Sequence, residues 1–171
     1  MVDNTTVEPS DMNQVLLSED QYHQISKELE ALRSKINSQL VLFGDMTGQL
    51  ISKKGNIPGV DMSILTALIS SDFSATSEIA RILGKGNQFK LHFHEGINRH
   101  LYISSVGDQL FLAVVFDPSV TLGMVRIFTQ KTIDLIAEII ESSHQESAKY
   151  SDIINSEFKS YVAEGLDKIL G

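Results

Sequence analysis

Residues 89–116 read FKLHFHEGINRHLYISSVGDQLFLAVVF. Phe89, Leu91 and Phe93 alternate with Lys90, His92 and His94, the period of two that sends neighbouring side chains to opposite faces of a strand. Glu95-Gly96-Ile97-Asn98 turns, residues 99–106 run back, and Gly107-Asp108 turns again. Residues 109–116 are almost wholly apolar, as expected of a central strand buried on both faces. Asp117-Pro118 ends the run. The stretch is a three-stranded antiparallel meander, and the rest of the chain has to cover it.

Upstream, Asp61 opens a long helix whose apolar face is Ile64, Leu65, Leu68, Phe73, Ile79, Ile82 and Leu83, with Ser70-Ser71-Asp72 as a place for a kink. Ser71, Ser74, Ala75, Thr76 and Ser77 give it a face small enough for another backbone to come close. Gly84-Lys85-Gly86-Asn87 supplies a glycine C-cap. Before that helix, residues 39–44 and 49–54 form a hairpin around Asp45-Met46-Thr47-Gly48. The first helix spans 18–37: Ser18 caps it, Gln21 completes a capping box, and Ile25, Leu29, Leu32 and Ile36 form one stripe.

Downstream, Leu122, Val125, Phe128, Leu135 or Ile136 and Ile139 mark a helix over 121–143. Residues 142–147 are polar, and a last amphipathic helix is expected from about Ser151. The order α-β-β-α-β-β-β-α predicts an α/β fold, a five-stranded antiparallel sheet covered by helices, with an extra C-terminal helix. The domain organisation expected is a flexible acidic arm at 1–16, one domain at 17–143, and a linker with the C-terminal helix at 144–171.

Composition narrows the function. The 171 residues carry 14 Lys and Arg against 22 Asp and Glu, a net charge of −8, and five of those acids (Asp3, Glu8, Asp11, Glu19, Asp20) fall in the first twenty residues. That balance argues against a nucleic-acid binder or a polybasic membrane-surface protein. With no cysteine, thiolate metal sites, disulfides and cysteine nucleophiles are excluded. No apolar run reaches a membrane-spanning length, and residues 1–10 do not resemble a secretory signal, so a cytoplasmic location is expected.

Catalytic signals are weak. Asp45-Met46-Thr47-Gly48 matches the D-x-x-G of GTPases, but no phosphate-cradling G-x-x-x-x-G-K-[ST] loop accompanies it, so it is a hairpin turn. No G-x-S-x-G elbow exists. His92 and His94 share one side of a strand and can reach one metal ion, with Glu95 or His100 as a further ligand. Their offset from Phe89, Leu91 and Phe93 favours a polar strand face instead. The expectation is no metal, no cofactor and no active site.

Several ordered motifs together carry a resemblance. Leu65-Thr66-Ala67-Leu68-Ile69-Ser70-Ser71-Asp72-Phe73-Ser74-Ala75-Thr76 is followed by Ala80-Arg81-Ile82-Leu83-Gly84, Phe93-His94-Glu95-Gly96, Leu101-Tyr102-Ile103 and Val106-Gly107. Val114-Val115-Phe116-Asp117 and Thr121-Leu122-Gly123-Met124-Val125-Arg126 complete the series. The chain resembles the roadblock / dynein light chain family, with a profilin-like three-layer fold, and within it the bacterial MglB-like branch. The resemblance implies a homodimer joined through the second helix and third strand, at Ala75, Phe89, Leu91 and Phe93.

It also implies a partner, a small Ras-like GTPase of the MglA type, whose hydrolysis such proteins stimulate without supplying an arginine finger. The contact surface maps to Phe73, Ser74, Ser77, Glu78 and Arg81. Glu78 departs from the branch, where that position is usually small. The amphipathic tail (Phe158, Tyr161, Val162, Leu166, Ile169) offers a second contact. A scaffold or adaptor that binds a GTPase or another roadblock protein without activation is the alternative.

Overall fold

Ser18 begins the first helix by the reciprocal cap expected of it. Its hydroxyl accepts the Gln21 backbone N–H at 3.2 Å, while the Gln21 side-chain oxygen accepts the Ser18 N–H at 2.9 Å. Helix α1 (Glu19–Ile36) ends at Asn37, whose left-handed backbone sends its N–H to the Arg33 carbonyl. The structure, a computed structural model, describes residues 16–142 together with positions 156 and 162.

The strands and the second helix are β1 (Leu40–Asp45), β2 (Leu50–Gly55), α2 (Met62–Leu83), β3 (Leu91–His94), β4 (His100–Val106) and β5 (Leu110–Phe116). Helix α3 occupies 122–142. The sheet order is β2-β1-β5-β4-β3, antiparallel at every pairing. β5 is therefore central, and all seven of its residues are buried.

Strand alternation divides the core in two. Val41, Phe43, Tyr102, Leu112, Val114 and Phe116 face α1 and α3, meeting Ile25, Leu29, Leu32, Val125 and Ile136. Leu40, Leu42, Ile103, Phe111, Ala113 and Val115 face α2, meeting Met62, Ile69 and Phe73. The result is three layers: two helices, the sheet, one helix. Gln21 ties α1 to α3 by donating to the Ile139 carbonyl at 2.9 Å.

The Asp45-Met46-Thr47-Gly48 segment is a turn. One Asp45 carboxylate oxygen accepts from the Thr47 N–H (2.9 Å), the Thr47 hydroxyl (2.6 Å) and the Gln49 N–H (3.0 Å). Gly48 has φ +94° and packs against Ala67 of α2, where a Cβ would crowd the helix backbone at 3.2 Å.

Four expectations need correction. α2 is continuous through Ser70-Ser71-Asp72: Ser71, Ser74 and Thr76 donate their hydroxyls to carbonyls four residues earlier, so they are satisfied within the helix without a break in it. Gly84 ends that helix at φ 148°, ψ 153°, outside the left-handed cap geometry. β3 starts at Leu91, leaving Phe89 and Lys90 outside the strand. The side of β3 that holds His92 is not solvated there: His92 is 8% exposed because α2 covers it. The expected acidic arm and tail residues Phe158, Tyr161, Leu166 and Ile169 lie outside the described residues, while Val162 is helical and exposed.

Candidate functional site

α2 has more apolar positions than one face can bury. Met62, Ile69, Phe73 and Ala80 lie on the sheet, with Thr66 and Ser70 beside them. On the opposite face Ile64, Leu68, Ile79, Ile82 and Leu83 are each at least 49% exposed. Ile64, Leu68, Ser71, Ala75, Ile79 and Ile82 recur at three- and four-residue steps, so they form a second stripe with small residues at its middle. The sequence showed one mixed apolar face; the structure resolves it into an inner and an outer one.

Beside the outer stripe stand Ser74, Ser77, Glu78 and Arg81, at i, i+3, i+4 and i+7, all exposed. The Arg81 guanidinium meets Glu78 at 2.8 Å, so the glutamate's charge has a partner on its own helix. A groove of about 660 Å3 opens next to them, lined by Ser77, Arg81, Lys85, Lys90 and the 84–88 loop. Phe73, expected on this surface, lies at the buried floor of that groove and turns towards the sheet. It is 6% exposed and packs against His92 (ring centroids 4.4 Å apart) and Phe111 (5.9 Å).

The other flank of α2 faces the sheet edge. Among the described residues β3 pairs only with β4, so its outer rim has no strand neighbour among them. Ala75 of α2 is exposed and Phe89 is 41% exposed, while Leu91, also exposed, shares the face of β3 turned away from α2 with Phe93. Phe93 turns to the other side of the sheet, stacking on Phe116 at 6.4 Å. Between helix and strand, Asp72 reaches over to His92 Nδ1 (2.8 Å) and His94 Nε2 (3.1 Å) with the same carboxylate oxygen. Burial alone would raise the Asp72 pKa; the two imidazoles outweigh it and hold the carboxyl below its ordinary value. Neither Glu95 nor His100, the partners expected from sequence, joins this group, whose members are Asp72, His92 and His94. Asp72 was hidden from sequence reasoning by its twenty-residue separation from His92.

Among the described residues no helix is long and apolar enough to cross a membrane. Comparison with known proteins accounts for this architecture. The Roadblock/LC7 domain model matches residues 29–116. MglB of Myxococcus xanthus superposes with a TM-score of 0.69 at 32% identity, over 74% of this chain and 95% of that one. An MglB with a tetrameric arrangement gives 0.67 at 26% identity, over 80% and 98% of the two chains. The gliding protein MglB of Thermus thermophilus gives 0.67 at 25% identity, over 80% and 99%. The family model covers the stretch from the middle of α1 to the end of the central strand, and the solved structures share the layers around it. The chain belongs to the Roadblock/LC7 family.

Proposed function

We propose that this protein is a homodimeric regulator that binds a small Ras-like GTPase of the MglA type and stimulates its GTP hydrolysis. It works in the cytoplasm, in cell polarity or motility, as a regulator without an active site of its own. The observation that carries the reading is the exposed face of α2, where Ser74, Ser77, Glu78 and Arg81 form one continuous surface beside an uncovered apolar stripe. Two copies joined through the outer stripe and the rim of β3 extend the sheet and bring two such surfaces together. Ser71 and Ala75 at the middle of the stripe let the helices approach closely.

Arg81 pairs with Glu78 on its own helix and takes no finger role in this reading. Stimulation therefore works by favouring the arrangement in which the GTPase's own catalytic groups are in place. A tenfold acceleration needs only about 1.4 kcal/mol of preference for that state. Phe73 supports the surface from within the core and makes no direct contact with a partner.

The test is GTP turnover by an MglA-type GTPase with and without this protein. Turnover is expected to rise with the wild-type chain and to stay basal with Ser74→Arg, which puts a long charged side chain on the exposed small face while the core is untouched. Stimulation by the variant equal to wild type would remove the surface from the proposal. Binding without acceleration would select the scaffold, which the charged Glu78 at a usually small position favours.

A further inference from the structure

We infer that Asp72, His92 and His94 form a binding site for a divalent first-row transition-metal ion, of which zinc fits best, clamping α2 to the edge strand β3. The reading goes beyond the GTPase proposal and does not depend on it.

Hydrogen bonding around His92 leads to this site. Thr76 has one hydroxyl hydrogen, and its shortest contact, 2.6 Å, is to the Asp72 carbonyl. With that hydrogen committed, Thr76 Oγ1 is an acceptor for His92 Nε2 at 3.1 Å. A neutral imidazole has one N–H, so placing it on Nε2 turns the Nδ1 lone pair towards the Asp72 carboxylate, 2.8 Å away. Two lone pairs that close repel unless a proton lies between them or the pair opens to share a metal ion. A second proton is one solution and a metal ion is the other.

His94 brings a third donor to the same place. Its Nε2 reaches the same carboxylate oxygen at 3.1 Å, and the three donor atoms all lie within 4.8 Å of one another. Zinc holds imidazole nitrogens and carboxylate oxygens at about 2.0–2.2 Å, which sets neighbouring ligands about 3.4 Å apart. With close contacts of 2.8 and 3.1 Å and a span within 4.8 Å, the side chains have to open at the carboxylate and close between the imidazoles to meet it, which the half-exposed His94 allows. The donor set is imidazole and carboxylate without thiolate, suited to zinc and its neighbours.

The surroundings prepare the ligands. The Phe73 ring lies against His92 at 4.4 Å, and Thr76 fixes the nitrogen facing away from the site, the arrangement that orients a metal-bound histidine. The His92 side chain is 6% exposed, Asp72 30% and His94 52%, so one side is buried and the other remains open to water as a further ligand. His23, which faces Glu19 on the α1 surface at 3.8 Å, provides an internal control.

Titration of the metal-free full-length chain with zinc chloride by calorimetry is expected to give one ion per chain. Asp72→Asn and His94→Ala should each weaken binding on the order of 100-fold or more, at least as much as losing an outer-shell partner, and His23→Ala should leave it unchanged. Cobalt(II) should give the visible absorption of a low-symmetry site in wild type and lose it in both ligand variants. His94 is half exposed, so its variant retains the fold, checked by circular dichroism. No stoichiometric zinc binding by the wild type, or equal affinity in the Asp72 and His94 variants, overturns the assignment.

Discussion

Gly55 closes β2 at φ +83°, and a Cβ at that position would collide with the carbonyl oxygen of Gln39. Gly55→Ala is therefore expected to destabilise the fold by about 1–3 kcal/mol, measured as a lower midpoint in urea unfolding with an unchanged slope. At this scale some assignments were legible without coordinates. The Ser18 and Gln21 pair was, because a capping box is built from residues three apart and needs no tertiary partner. His92 was not. Alternation says which residues share a side of a strand, but both sides of this sheet are covered, so it does not say which side is wet.

Within α1, Glu30 and Arg33 lie one turn apart and meet at 2.9 Å. The Arg33 hydrogen bond holds the Glu30 carboxyl below its ordinary value of 4.5. A carboxyl lowered by folding contributes stability above its unfolded value and loses it as the pH falls through the lower folded value. The thermal midpoint should thus decline on acidification below 4.5, and Glu30→Gln should flatten that part of the profile. The change is small, since solvent screens an exposed ion pair; an identical acid limb in the variant would contradict it. For α2, helical spacing marked the element and its length, but the same periodicity serves both apolar stripes. Phe73 could be assigned to the partner surface only because sequence does not say which stripe faces the sheet. The absence of a kink was equally illegible: serines that bond back to carbonyls four residues earlier can bend a helix, and packing on the sheet, which no local pattern records, leaves α2 continuous.

For the whole molecule, the outer stripe of α2 and the rim of β3 leave apolar side chains uncovered, which underlies the proposed dimer. Ala75 lies at the middle of the stripe and is exposed in the single chain. Ala75→Glu is expected to convert a dimer into a monomer in sedimentation analysis without loss of helical signal, because two carboxylates would face each other where backbones must come close. A variant that sediments as the wild type would show that the two chains join elsewhere. The sequence by itself determined the order of elements, the antiparallel meander, the buried central strand and the family resemblance. Those rest on local periodicity, turn chemistry and caps, all written over short spans. The tertiary structure alone decided which stripe of α2 is inside, that His92 is buried under that helix, and that Asp72 meets both histidines. Burial and convergence depend on how one layer is laid over another, and that placement joins residues that no local pattern connects.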